Sequence, residues 1–156
     1  MSRPVLLVTG GSRGIGAAIC VMAAQRGYDV AVNYQSNAEA AEKVVAACKA
    51  AGAKAVALKG DMADDADIAR VFAEAKAELG PLSHVVNNAG ITGPGSTLAQ
   101  ADPQTIRTCI DVNVTGAILV AREATRALLA NGRGKGRAFG HGSAIAGGVG
   151  ARVGGG

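Results

Sequence analysis

The chain has no tryptophan, and aromatic residues make up only 3% of its 156 positions. That scarcity excludes the stacked aromatic platform on which single-stranded nucleic acid is usually held. No apolar run approaches the roughly 20 residues that a membrane-crossing helix needs. The opening Met1-Ser2-Arg3-Pro4 lacks a secretory-signal pattern. The three cysteines, Cys20, Cys48 and Cys109, are odd in number and far apart, with no Cys-x-x-Cys. They read as reduced core thiols of a soluble, cytoplasmic protein rather than as disulfides or zinc ligands. His84 and His141 have no partner at ligand spacing, so no metal site is assigned.

The charge is not spread evenly along the chain. Residues 1–130 carry 12 Lys+Arg against 12 Asp+Glu, whereas the last 26 residues carry Arg133, Lys135, Arg137 and Arg152 and no acid. The formal net charge of +4 therefore belongs to the tail, which also holds 11 of the 23 glycines. A neutral body with a basic, glycine-rich end reads as a domain over 1–130 followed by a solvated tail over 131–156. It does not read as a nucleic-acid-binding surface.

What is present is a globular composition, 49% apolar and 18% charged. A chain of this length buries roughly 68–70% of its unfolded surface without staples. Four short apolar runs, Val5-Leu6-Leu7-Val8, Val30-Ala31-Val32, Ala55-Val56-Ala57-Leu58 and Leu82 to Val86, have the character of strands buried on both faces. Helical patterns lie between them. Ser36-Asn37-Ala38-Glu39 has the form of a capping box, followed on one face by Ala40, Val44, Cys48 and Ala51. Ile68, Val71, Phe72, Ala75 and Leu79 stripe a third helix that Gly80-Pro81 stops. A long helix opens at Asp102-Pro103, with Ile106, Ile110, Ala117, Ala121, Ala124 and Leu128 on one apolar stripe and Asn113 among them. Ala138–Ser143 offers a fifth strand, weakened by its glycines. Strand–helix alternation predicts right-handed crossovers and a doubly wound parallel α/β sheet, a Rossmann fold, here with an incomplete sheet. A sheet stopping after four or five such strands leaves a buried-type edge uncovered, which predicts self-association or a missing covering part.

The first strand runs into Thr9-Gly10-Gly11-Ser12-Arg13-Gly14-Ile15-Gly16, after which Ile15, Ile19 and Met22 are expected to face inward from a helix. Strand, glycines and helix start together make an anion site. Unpaired N–H groups and the positive end of the helix dipole face the phosphate, and absent side chains let it approach. An NAD-preferring site usually places an acid at the end of the second strand, but Val32-Asn33-Tyr34-Gln35-Ser36 has none. Arg13 offers a guanidinium for a 2′-phosphate, so NADP(H) is the expected cofactor; the alternative leaves Arg13 as a solvated loop charge.

Thr9-Gly10-x-x-x-Gly14-Ile15-Gly16, Asp61 after the third strand and Asn87-Asn88-Ala89-Gly90 after the fourth resemble the short-chain dehydrogenase/reductase family, classical type, in its NADP-preferring branch. The resemblance covers residues 4–130. It implies that Gly10, Ser12, Arg13 and Ile15, with Gly14 and Gly16, line the phosphates and adenosine ribose. Asn33, Tyr34 and Ser36 would lie near the 2′-phosphate. Asp61, followed by Met62, would accept from the adenine amino group, and Asn88, Ala89 and Gly90 would pass under the nicotinamide ribose. Asn113 would be the catalytic asparagine that helps to hold a proton-relay water. Read from the residues alone, Asp61 could instead cap a helix, Asn88 shape a turn and Asn113 be a satisfied structural amide, while Gly116 suits close packing.

The same resemblance implies hydride transfer between a nicotinamide and a small-molecule carbonyl or alcohol, in a dimer or tetramer. A tyrosine acts as general acid/base, with a lysine four residues later. The chain departs from this pattern. Its only tyrosines, Tyr28 and Tyr34, lie in the cofactor half without such a lysine, and no lysine follows Lys135. Aligned without gaps, Ala144 takes the place of the catalytic serine and Ser143 falls one residue early; a one-residue shift would bring Ser143 into place. His141 has no orienting partner and makes a poor substitute acid. A truncated chain, a misread end and a degenerate relative all fit. The expectation is a cofactor-binding oxidoreductase segment without turnover of its own, with a non-catalytic dinucleotide-binding or regulatory module as the alternative.

Overall fold

The computed structural model describes residues 2–93, 95–131 and 137–140, the last segment by its backbone alone. Five strands form one parallel sheet: β1 (Val5–Val8), β2 (Asp29–Tyr34), β3 (Ala55–Lys59), β4 (Leu82–Asn87) and β5 (Arg137–Gly140), in the order β3-β2-β1-β4-β5. The order reverses beside β1, and the crevice between β1 and β4 opens at their carboxyl ends. In doubly wound sheets this is where ligands bind.

Alternation along β1 sends side chains to two separate cores. Val5 and Leu7 join Leu58, Ile68, Val71, Phe72 and Val120 on one face. Leu6 and Val8 join Val30, Val32, Cys20, Ala24 and Val44 on the other. Helices α1 (Gly14–Gln25) and α2 (Ala38–Ala50) cover the second face, and α3 (Asp65–Leu79) and α5 (Ala117–Ala130) the first. Strands β1 and β2, at the centre of the helix layers, are therefore buried on both faces, as their continuous apolar runs required. Burial pushes the Cys20 thiol up to about 12, with Cys48 adding to the effect, so Cys20 stays protonated at neutral pH.

Several local expectations shift by a residue or a face. The cap of α2 is Asn37, whose side chain accepts from the Ala40 amide, rather than Ser36. Its buried stripe is Ala41, Val44, Val45 and Cys48. Helix α1 turns Gly16, Cys20, Ala23 and Ala24 inward. Ile15 and Met22 are 62% and 48% exposed, which corrects the inward face read from hydrophobicity alone. Small residues occupy the inward face because the helix lies close on the glycine loop and β1.

The long helix from Asp102 is interrupted. Helix α4 (Pro103–Ile110) is capped by Asp102, with Pro103 in its first turn, and gives way at Asp111–Gly116 to a wider π-helical stretch before α5. The extra residue per turn re-phases the stripe: Ile106 and Ile110 are exposed, and Val112, Gly116, Val120, Ala124 and Leu128 are buried. A side chain on Gly116 would collide with the Met62 carbonyl, so close packing is what this glycine serves.

Strand β5 begins at Arg137, at the near end of the run expected from sequence, and pairs with β4 through Val85↔Ala138 and Val86↔Phe139. It extends the sheet from within the basic segment. On α3, the cap Asp64 accepts from the Asp67 amide at 2.8 Å. Asp64→Ala is expected to cost about 1 kcal/mol of stability, read as a lower urea midpoint.

Candidate functional site

A cavity of about 710 Å³ opens where the carboxyl ends of β1, β2, β3 and β4 meet. It lies within the roughly 300–1,000 Å³ range of small-molecule sites. The motif residues Gly10, Ser12, Arg13, Gly14, Ile15, Asn33, Tyr34, Ser36, Asp61, Met62, Asn88, Ala89 and Gly90 line it together. Residues distant in sequence thus converge on one site. Gly16 and Asn113 stand behind it and shape it.

The glycine loop is built by close approach. Gly10 has φ +61 and Gly14 φ +55, left-handed values that glycine adopts without cost. A Cβ on Gly10 would lie 3.0 Å from the Ala89 Cα. Gly16 faces the Gly10 carbonyl, where any side chain would collide.

The start of α1 differs from those of α2, α3 and α4. Side chains cap α2, α3 and α4, and acids sit in the first turns of α2 and α3. Helix α1 has neither a side-chain cap nor an acid in its first turn. Its first backbone hydrogen bond runs from the Ala17 amide to Arg13, so the earlier amides have no intrahelical acceptor. Gly14 and Ile15, which carry two of them, lie at the wall of the cavity, together with the positive end of the helix dipole. Arg13 is the extended residue before the helix; it is exposed and makes no ion pair among the described residues. A donor set of this kind fits a phosphorylated dinucleotide.

Two buried polar residues hold the loop in shape. Asn33 is 1% exposed; its Oδ1 accepts from the Gly10 amide at 3.1 Å, and its Nδ2 donates to the Leu58 and Gly60 carbonyls at 3.2 and 3.1 Å. Its side chain thus braces three strand ends, and the polar groups left to face a ligand at this corner are those of Tyr34, Gln35 and Ser36. Thr9, fully buried, accepts at Oγ1 from the amides of Asn88 and Ala89 at 2.9 and 3.0 Å. Asn88 Nδ2 donates to the carbonyls of Thr9 and Gly10 at 3.1 and 3.0 Å. Asn88 therefore ties β4 to the loop after β1, beyond the work of a turn residue. Sequence reasoning misses the bracing role of Thr9, which reads there only as the end of a strand. Its signal is a hydroxyl at a strand end, buried against two loop amides.

Asp61 accepts at Oδ1 from the Ala63 amide at 2.9 Å and is not the cap of α3. Its own amide donates to Asp67 Oδ2 at 2.8 Å. That bond, together with the Arg70 guanidinium, holds the Asp67 carboxyl below the usual carboxylate range.

Asn113 sits within the π-helical stretch. Its Oδ1 accepts from the Ile91 amide at 2.8 Å, and its Nδ2 donates to the Ile91 carbonyl at 2.7 Å. The side chain clamps the loop after β4 as a second strand would. Asn113→Ala is expected to cost about 1–3 kcal/mol. Amide exchange at Ile91 should rise, while α5, packed through Val120, Ala124 and Leu128, keeps its protection. Ser143, Ala144 and His141 lie outside the described residues. The cavity also takes in Gln35, Asn37, Ala40, Gly60, Ile91, Thr92 and Val112, which sequence reasoning passes over. Most of them adjoin a recognised motif residue in the chain.

Among the described residues no group of three His, Cys, Asp or Glu could hold a metal, and no helix is long and apolar enough to cross a membrane.

Comparison with known proteins gives the site its context. The family model described as short chain dehydrogenase matches residues 4–146. An uncharacterized oxidoreductase, YgfF of Escherichia coli, is 39% identical over 142 residues, covering 91% of this chain and 58% of its own. A double mutant of a Serratia marcescens short-chain dehydrogenase/reductase superposes with a TM-score of 0.83 at 35% identity, over 97% of this chain and 61% of its own. A short chain dehydrogenase from Burkholderia cenocepacia, solved in complex with NADP, superposes with a TM-score of 0.74 at 41% identity, over 80% of this chain and 50% of its own. The chain spans about half the length of the curated relatives it matches. The doubly wound sheet, the glycine loop and the matched span make this chain a member of the short-chain dehydrogenase family of oxidoreductases.

Proposed function

We propose that this chain is the NADP(H)-binding part of an oxidoreductase acting on a small carbonyl or alcohol, with residues 1–130 as the dinucleotide-binding domain. The observation that carries the reading is the uncapped start of α1 beside Arg13, which makes no ion pair among the described residues, opposite a second-strand end without an acid. The amides of the glycine loop would hold the pyrophosphate. Arg13, Tyr34 and Ser36 would surround the 2′-phosphate, with Asn33 fixing the strand ends beneath them. Asp61, beside Met62, would accept from the adenine amino group. Asn88, Ala89 and Gly90 would support the nicotinamide ribose. The cofactor, when bound, supplies or accepts the hydride.

Asn113 spends its amide on Ile91, so its main-chain carbonyl is the group with which it could hold a relay water. Ser143 is the candidate to stabilise the reacting oxygen. The Tyr-x-x-x-Lys that would supply a general acid is missing from these 156 residues, which supports binding without turnover. The same lack favours the second reading, a non-catalytic dinucleotide-binding module. Exposed Ile106, Ile110 and Ile118 support self-association as a dimer or tetramer. Three free thiols, Cys20 and Cys48 of them buried, suit a reducing, cytoplasmic setting.

The test is titration of the chain with NADPH, followed by addition of a panel of aldehydes and ketones. Saturable binding with no loss of NADPH absorbance is the expected result. Steady oxidation of NADPH would overturn the claim that the segment lacks its own general acid.

A further inference from the structure

Behind the cavity wall, the end of β3 is tied to α3 by a chain of charged hydrogen bonds. Asp67 Oδ2 accepts from the Asp61 amide at 2.8 Å, and its Oδ1 accepts from Arg70 at 2.7 Å. The same guanidinium donates to the Lys59 carbonyl at 3.0 Å and to Glu74 at 3.2 Å. Lys59 and Asp61, on either side of Gly60, are thus both anchored to one stretch of α3. Gly60 brings the backbone flush against that helix: a Cβ there would lie 2.6 Å from Val71 Cγ2.

Asp67 is not needed to cap α3, because Asp64 does that. Its carboxylate is spent instead on the backbone of the residue that faces the cavity. We infer that Asp67 is a positioning residue that sets where the Asp61 carboxylate stands and so sets discrimination for a 6-aminopurine over a 6-oxopurine. This rests on the reading of Asp61 as the acceptor of the adenine amino group. A single carboxylate reading a single exocyclic amine works only within hydrogen-bond reach, about 3 Å, and must be held there from behind. Asp67 itself does not line the cavity.

The test uses the 156-residue chain and two probes, NADP and its analogue carrying hypoxanthine in place of adenine. The unaltered chain is expected to prefer the adenine form about tenfold, the scale of one charge-assisted hydrogen bond. Asp67→Ala is expected to reduce that preference to about twofold while binding of the hypoxanthine form holds, and Asp67→Asn, which keeps an acceptor oxygen, to restore most of it. A merely structural role would weaken both probes alike. An Asp67→Ala chain that retains the full preference overturns the inference. Should that variant not fold, Arg70→Ala carries the test: a preference lowered about threefold supports the inference, and an unchanged one overturns it. Asp61→Ala separates the two levels. If it keeps the preference for adenine, the reading of Asp61 fails; if it abolishes the preference while Asp67→Ala does not, only the role of Asp67 fails.

Discussion

Gly16→Ala is expected to destabilise the fold by about 3 kcal/mol and to abolish dinucleotide binding at cofactor concentrations that saturate the unaltered chain. The added methyl would collide with the Gly10 carbonyl and lie 2.6 Å from Asn88 Nδ2. Neither obstacle is the free end of a flexible side chain. The carbonyl belongs to the glycine loop that lines the cavity, and the amide is already bonded to Thr9 and Gly10. Relief would require α1 to move off β1, carrying its uncapped amides away from the cavity. Gly14→Ala provides the contrast. Nothing lies within 4 Å of a Cβ there, so the cost is the left-handed φ of +55 alone, about 1–2 kcal/mol. Urea midpoints of the two variants separate steric collision from backbone strain. A Gly16→Ala chain as stable as the unaltered one would mean that the helix does not sit on the loop in this way.

Arg13→Ala is expected to weaken NADPH binding about 10–100-fold and to leave NADH binding within about twofold. The guanidinium is exposed and free of ion pairs among the described residues, so its removal costs the fold little. Its proposed partner exists only on the phosphorylated cofactor. Because the contact is ionic and open to solvent, the difference between the two cofactors should shrink as salt is raised. Equal weakening of both cofactors would assign Arg13 to the pyrophosphate instead.

The architecture is readable because β1 through β4 are short, largely apolar runs punctuated by glycines, a pattern with few competing folds. The glycine loop is readable for the same reason: Gly10 and Gly14 serve backbone geometry that other residues reach at a cost. What hydrophobicity alone cannot show is which apolar residues face a ligand cavity. Ile15 scores as core yet lines the cavity, 62% exposed. Nor can periodicity foresee the π-helical stretch at Asp111–Gly116, since the added residue changes the phase of the stripe without changing its composition. Polar side chains are the hardest to assign. The place of Asn33 in the chain points to a phosphate, but its buried amide is occupied by three backbone partners from distant segments. Such long-range bonds leave no trace in local spacing. Asp67 has the same character: a surface acid by composition, and an anchor of Asp61 by structure.

The cavity at the ends of β1 and β2 is expected to select a 2′-phosphorylated dinucleotide. Isothermal titration of the unaltered chain with NADPH and, separately, with NADH at moderate salt tests it most directly. One site per chain and an affinity at least about tenfold tighter for NADPH are expected. Equal affinities, or tighter binding of NADH, would contradict it.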